Sequence, residues 1–353
     1  MTLLVTGGAG FIGSTLVRRL VLRAGRAVVN VDKLTYAGNL ASLAGAFDHP
    51  LHHFEQQDIC DATVLRDLFE RHSPEAVIHL AAESHVDRSI DGPRDFIATN
   101  LVGTFTVLEE ARRYWTKLAA AERERFRFLH VSTDEVFGSL GAEGRFTNST
   151  PYNPSSPYSA TKAGSDHLVR AWGHTYGLPV IVSHCSNNYG PYQFPEKLIP
   201  LIILNALEGR PLPVYGAGDN VRDWLHVDDH VEALLTMLDR GRPSETYLVG
   251  GFGERRNLDV VQAVCGILDE MVPDSRLGPR EQLIAFVADR PGHDFRYAID
   301  PAKLVTQLGW KPRVSFEEGL RQTVAWYLDN REWCEAIQSG AYRRERLGLG
   351  GAA

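Results

Sequence analysis

Cysteine is scarce in this chain: 353 residues carry four, Cys60, Cys185, Cys265 and Cys334, and no two stand at the short spacing of metal ligands. That argues against a disulfide framework or a zinc module. It reads as ordinary reduced thiols of a cytoplasmic protein, with no metal expected. Long uncharged apolar runs are lacking as well. None approaches the ~18 residues of a membrane span, and Met1-Thr-Leu-Leu-Val-Thr-Gly-Gly runs straight into a strand with no basic leader, so neither a membrane partner nor a secretory signal is expected. Blocks of one charge sign are missing. The formal net charge of −7 is spread along the chain, which argues against nucleic acid or an anionic membrane surface as the main partner. There is no internal repeat and no low-complexity tract beyond a short Gly/Ala tail. What the chain does have is 44% hydrophobic residues, enough for one large domain with a lobe, or for two domains.

The N-terminal half alternates short apolar runs with helical periodicity. Leu3 to Thr6 reads as a buried strand, Gly7-Gly-Ala-Gly10-Phe11-Ile12-Gly13 follows at once, and Ser14 to Arg23 reads as a helix. Glycines at such a turn let the backbone approach a pyrophosphate, and the helix N-terminus offers free N–H groups to it. The next strand, Ala27 to Val31, ends in Asp32, 19 residues after Gly13. An acid there suits a ribose 2′-hydroxyl and repels a 2′-phosphate, which favours NAD over NADP; the adjacent Lys33 pulls the other way. Further strands are expected at Phe54 to Asp58 and Ile59, where a polar pair could meet the adenine, and at Ala76 to Leu80. Small residues Ala81 and Ala82 then allow close approach to a cofactor. Pro93 to Trp115 reads as a long helix whose apolar stripe is interrupted by Thr99 and Asn100, either as a satisfied core pair or as a cofactor contact.

Leu129-His-Val-Ser-Thr-Asp-Glu-Val-Phe-Gly138 organises the rest. An apolar strand stops abruptly on Ser132, Thr133, Asp134 and Glu135, so polar groups stand at its carboxyl end, where open α/β sheets bind ligands. A plain helix cap explains the same residues. Tyr158-Ser-Ala-Thr-Lys162 follows 24 residues after Asp134. Tyr and Lys four apart share a helix face, and a nearby ammonium favours the phenolate, which makes the pair a proton-transfer device. Leu178 to His184 reads as another strand. The fold class is therefore α/β, a Rossmann-type doubly wound parallel sheet with a smaller C-terminal α/β substrate-binding lobe. Its expected bounds are 1–186 for the first domain, with returning elements from about 221–250, then 187–345 for the lobe and 346–353 for a tail. In the lobe, Arg222 to Asp229 is expected to open a helix reaching Asp239, Asp289 to Tyr297 a donor-rich loop, and Leu320 to Leu328 the final helix. Lys197, Arg222, Arg290 and Arg296 suit a diphosphate, although ordinary surface charge accounts for most such residues.

Gly7-x-x-Gly-x-x-Gly13 with Tyr158-x-x-x-Lys162 resembles the extended short-chain dehydrogenase/reductase superfamily. Ser132-Thr-Asp-Glu-Val136 narrows the resemblance to the nucleotide-sugar 4,6-dehydratases. Asp32-Lys-Leu-Thr-Tyr-Ala-Gly-Asn39, Ala81-Ala-Glu-Ser-His-Val-Asp-Arg-Ser89, Asn187-Asn-Tyr-Gly-Pro-Tyr192, Pro195-Glu-Lys-Leu-Ile-Pro200, Arg222-Asp-Trp-Leu-His226 and Asp289-Arg-Pro-Gly-His293 agree with it. It covers roughly residues 2 to 345, and one departure is Phe137 where the family usually has Tyr.

The resemblance implies that dTDP-glucose is oxidised at C4, loses water across C5–C6 and is reduced at C6, giving a 4-keto-6-deoxy sugar for deoxysugar synthesis such as that of rhamnose. The catalytic set it implies is Tyr158 for the C4 hydroxyl proton, Lys162 to favour the phenolate, Thr133 at the C4 oxygen, Glu135 for the C5 proton and Asp134, protonated, for the departing C6 oxygen. NAD would stay bound and be regenerated each turn. The cofactor set is Gly7, Gly10, Phe11, Ile12, Gly13, Asp32, Lys33, Leu34, Thr35, Asp58, Ile59, Leu80, Ala81, Ala82, Ser84, Thr99, Tyr158, Lys162 and Asn188. The substrate set is Ser84, Thr133, Asn187, Lys197, Leu198, Pro213, Tyr215, Arg222, Asn257, Arg290, His293 and Tyr342. A homodimer is implied too, through the helices around 93–115 and 157–175. Three alternatives stand beside this reading: a dehydratase of a UDP- or CDP-linked sugar, a sugar 4-epimerase or decarboxylase, which needs no acid pair, and a non-catalytic NAD-sensing protein on the same fold.

Overall fold

Along a strand, successive side chains face opposite layers. Leu3 and Val5 pack into one core and Leu4 into another, all fully buried, as in a parallel sheet covered by helices on both faces. The structure, a computed structural model, describes residues 2–338. In chain order its strands are β1 (Thr2–Thr6), β2 (Ala27–Asp32), β3 (His52–Gln56), β4 (Ala76–His79), β5 (Arg127–Thr133), β6 (Val180–Cys185), β7 (Asn187–Tyr189), β8 (Leu212–Tyr215), β9 (Val221–His226), β10 (Thr246–Val249), β11 (Glu254–Arg256) and β12 (Ile284–Val287). Seven form one sheet in the order β10-β6-β5-β4-β1-β2-β3, and each pairing is parallel. The strand order reverses between β1 and β4, which opens a crevice at their carboxyl ends. This is the doubly wound Rossmann-type sheet expected. A second sheet has the order β11-β9-β7, and β12 pairs with β8.

The helices Phe11–Arg18 and Val227–Arg240 cover one face of the large sheet, over Leu3, Val28, Ile78, Leu129 and Tyr247. Thr104–Lys117 and Pro157–Tyr176 cover the other, over Leu4, Val29, Val77, Phe128 and Val182. A separate core gathers Ile199, Ile202, Leu212, Val260, Val264, Leu320 and Tyr327 from the C-terminal half. Among the described residues, no helix is long and apolar enough to cross a membrane.

Two expectations fail in the C-terminal half. Arg222 to His226 is the strand β9, and the helix begins only at Val227, where His226 caps it by accepting from the Asp228 N–H. The two aspartates, not the arginine, mark the start, as the helix dipole favours. Leu320 to Leu328 lies inside the helix Phe316–Asp329, but another helix, Arg331–Gln338, follows. The expected long helix from Pro93 is present, but its turns widen over Ile97–Gly103, a distortion that often accompanies functional sites.

Candidate active site

β5 pairs with β6 as far as Thr133, where the chain coils into one tight turn over Asp134–Phe137. Thr133 makes that change of course: its backbone is extended and its Oγ1 accepts from the Glu135 N–H at 3.3 Å. The capping reading and the site reading of these residues therefore describe one device, because the cap sets Asp134 and Glu135 at the carboxyl edge of the sheet. Both line a large cavity, together with Thr133, Tyr158 and Lys162. The last two come from one face of the helix Pro157–Tyr176, which starts on a proline and is capped by Ser156 accepting from the Ser159 N–H at 3.1 Å.

The two carboxyl groups differ in their surroundings. Asp134 is buried and held well above the usual carboxylate range, first by burial and then by the neighbouring Glu135 and Asp223 charges. Its Oδ2 has no partner among the described residues, as suits a group with a proton to give. Glu135 is also raised by burial, but Arg290, Lys197 and Arg222 pull it back toward the charged form. Burial thus raises both adjacent carboxyls, and Arg290, Lys197 and Arg222 oppose the rise at Glu135. Burial, then Glu135, hold the Tyr158 phenol well above its ordinary value, while the Thr133 hydroxyl pulls it down. The Lys162 ammonium donates one of its three N–H groups to the Val131 carbonyl at 2.9 Å.

The crevice fits a dinucleotide. Gly7 has φ +74°, and a Cβ on it would lie 2.6 Å from the Ala81 backbone N; at Gly13 one would lie 2.0 Å from the Gly7 carbonyl. Only glycine permits that packing of turn, helix and β4. Asp32 ends β2 with one oxygen accepting from the Ala9 N–H and the other from the Leu34 N–H, each at 2.9 Å. Lys33, the residue that would welcome a 2′-phosphate, is tied up: its Nζ donates to Thr99 Oγ1 at 3.2 Å and pairs with Asp58 at 3.5 Å. Gly10, Phe11, Ile12, Thr35, Ile59, Leu80, Ala81, Ala82, Ser84 and Asn188 line the cavity with them. Leu34 and Asp58 do not. Leu34 gives only its N–H to Asp32, and Asp58 accepts from the Cys60 N–H at 2.9 Å; Gln57 lines the wall instead. Asn100 proves to be a core contact. It bridges the Glu83 backbone and Thr161.

Asn187 and Lys197 also line the cavity. Leu198 opens the next helix, and Pro213 and Tyr215 lie on β8. Arg222 stacks 4.2 Å from the Tyr297 ring centroid and spends its donors on the carbonyls of Val221, Asp294 and Phe295. Arg290 pairs with Asp87 at 2.8 Å, and Asn257 Oδ1 is buried without a partner among the described residues. His293, pushed down to about 4 by burial and by Arg290 and Arg222, is held by Asp289. Arg296 does not serve as expected, since it is pinned to Glu254 and the Gly144 carbonyl. Tyr342 lies outside the described residues. Sequence reasoning missed Glu83, Gln193, Phe194 and Glu196 on the cavity wall. Glu196 sits in a quoted motif, but nothing in its neighbours shows that it accepts from Tyr36 and from Arg88, each at 3.1 Å. Elsewhere His53, Glu55 and His72 converge, but Arg71 already pairs with Glu55 at 3.0 Å and borders His72.

A family model described as GDP-mannose 4,6 dehydratase matches residues 4–323. A dTDP-glucose 4,6-dehydratase of Neisseria meningitidis serogroup B is 58% identical over 351 residues, covering 99% of each chain. A dTDP-glucose 4,6-dehydratase of Escherichia coli K12 is 58% identical over 97% of each chain. The crystal structure of DesIV, a dTDP-glucose 4,6-dehydratase from Streptomyces venezuelae with NAD and TYD bound, is 46% identical, with a TM-score of 0.87 over 96% of this chain and 100% of that one.

Proposed function

The chain belongs to the GDP-mannose 4,6 dehydratase family, and we propose that within it the chain is a hydro-lyase that converts dTDP-glucose to dTDP-4-keto-6-deoxy-glucose. The observation that carries this reading is the pair at the end of β5: two adjacent buried carboxyls, Asp134 raised well above the usual range and Glu135 faced by Arg290, Lys197 and Arg222, in one cavity with Tyr158. A 4-epimerase needs the tyrosine but has no use for that pair. The residues of the glycine turn and Asp32 would hold NAD, which would supply the acceptor for the C4 hydrogen and the donor of hydrogen at C6. We assign the remaining steps to the chain's own groups. Tyr158, as the phenolate, takes the C4 hydroxyl proton; Thr133 pulls the phenol toward that state, and Lys162, one turn on, is the cation nearest in sequence to support it. The C4 ketone makes the C5 hydrogen acidic. Glu135 removes it, and Asp134 gives its proton to the leaving C6 oxygen; when the hydrogen returns at C6, the protonated Glu135 gives its proton back to C5. Two neighbouring side chains of different length, in one turn, reach two neighbouring carbons.

We assign the cofactor to residues 1–186 with the returning strand β10, and the nucleotide sugar mainly to the chain from 187 onward. Arg290, His293, Asn257 and Lys197 serve the nucleotide end, and the buried Asn257 Oδ1, which has no partner among the described residues, supports that assignment. A homodimer is supported by an apolar face: Ile97, Val102, Phe105 and Tyr176 are 45–50% exposed on the two helices in question, where large apolar groups side by side favour a partner. A cytoplasmic setting fits the free thiols of Cys60, Cys185, Cys265 and Cys334.

The test is incubation of the purified protein with dTDP-glucose and no added cofactor, followed by mass spectrometry. Loss of one water with no net reduced nicotinamide is the expected outcome. An unchanged mass with a galacto product would replace the reading by an epimerase.

A further inference from the structure

Asp87 stands in the first turn of the helix Val86–Asp91, three residues beyond Ser84 on the stretch that follows β4. It is 3% exposed, and no step above uses it. Its two carboxylate oxygens are divided between two residues distant in sequence. Oδ1 accepts from Arg290 Nη1 at 2.8 Å, and Oδ2 accepts from the Tyr215 hydroxyl at 3.0 Å. With Nη1 held, the plane of the Arg290 guanidinium is fixed and its other edge, Nε with Nη2, is left over. Nε is buried and has no partner among the described residues. A buried donor left unpaired is costly, and this edge has the fork geometry that matches phosphate oxygens. The Tyr215 ring is likewise fixed by its hydroxyl and stands edge-on to His293, with ring centroids 6.0 Å apart.

We propose that Asp87 is a positioning residue for the nucleotide of the substrate. From the helix that follows β4 it sets the Arg290 fork for the diphosphate and the Tyr215 ring for the base in one register. The proposal rests on the reading that a nucleoside diphosphate sugar is the substrate. Charge and position make opposite demands here. Asp87 is an anion beside a site for an anion, so by charge alone its removal strengthens diphosphate binding. Positioning requires that its removal weaken binding.

The experiment is titration calorimetry of thymidine diphosphate into the NAD-loaded protein, its Asp87→Asn and Tyr215→Phe variants, and the double variant. Asp87→Asn weakens binding about tenfold or more. Tyr215→Phe weakens it less, and the double variant is no weaker than Asp87→Asn, because both act through one carboxylate. The KM for dTDP-glucose rises with the dissociation constant while kcat at saturation is largely kept, which a general loss of structure does not produce. Unchanged or tighter binding in Asp87→Asn, or additive effects in the double variant, overturns the proposal. Should Asp87→Asn not fold, Tyr215→Phe decides alone, and an unchanged affinity overturns it. A wild-type protein that neither binds thymidine diphosphate nor turns over dTDP-glucose overturns the functional reading and this proposal together. A wild-type protein that does both, beside an unaffected Asp87→Asn, overturns only the role of Asp87.

Discussion

Replacing Asp134 by Asn removes one proton and almost no volume. The wild-type carboxyl is buried and raised well above the usual carboxylate range by burial and by the Glu135 and Asp223 charges; with the proton that the proposed mechanism places on it, the exchange is of one neutral group for another. Stability should change by less than about 1.5 kcal/mol, the range for a volume-conserving swap. The kinetic effect is confined to one step. A positioned general acid contributes about 10²–10⁴-fold, or ~3–5 kcal/mol of barrier, and only the departure of the C6 oxygen draws on it. Oxidation at C4 depends on Tyr158 and Thr133, which the substitution leaves in place. In a single turnover, Asp134→Asn should therefore form reduced nicotinamide at nearly the wild-type rate and then accumulate it. Glu135 should still exchange the C5 hydrogen with deuterated solvent. Equal slowing of oxidation and elimination would refute the division of labour, and so would a large fall in melting temperature, because it would mean that Asp134 is charged and paired.

Asp223, buried beneath this pair, is raised from 3.8 to about 6 by burial. An acid raised on folding gives stability that is full below its unfolded value and lost as pH rises through the folded one, about 3 kcal/mol in all here; the melting temperature of Asp223→Asn should therefore gain on wild type between about pH 4 and 6, and a constant difference would count against the shift. Glu196 joins Tyr36 to Arg88, whose guanidinium lies 3.7 Å over the Tyr36 ring. If this link holds the segment after Asp32 against the cofactor crevice, Tyr36→Phe should lose NAD about three- to tenfold faster on dialysis, and unchanged retention would show that the link does not hold the cofactor. Phe137 packs on Phe146, Tyr152 and His184 and lies off the cavity; Phe137→Tyr should keep its elimination rate, any cost appearing as about 1–3 kcal/mol of stability if the hydroxyl finds no partner. Phe105→Arg should convert a dimer to a monomer by light scattering, and a dimer that persists would place the interface elsewhere.

The local pattern of the chain determined the sheet, the glycine turn and which polar side chains stand at the carboxyl end of β5. Strand residues read as apolar runs because both faces of a parallel sheet are buried, and Gly7, Gly13 and Asp32 are legible because turn sterics and ribose recognition act within one strand–turn–helix unit. Thr133, Asp134, Glu135, Tyr158 and Lys162 were legible for the same reason, since each pair lies within one turn of chain. Pairings across the fold were not legible. Sequence spacing put Lys162 beside Tyr158 but could not show its ammonium on the Val131 carbonyl, and Arg296 looked like any other phosphate-binding arginine until Glu254 was seen to hold it. Arg222 read as a helix start because its strand neighbours are polar and aromatic, and only its place between β7 and β11 made it a strand. The unequal environment of Asp134 and Glu135 was likewise decided by tertiary structure. Burial and the charges of Asp223, Arg290 and Lys197 set it, and those charges come from segments that meet the end of β5 only when the chain has folded.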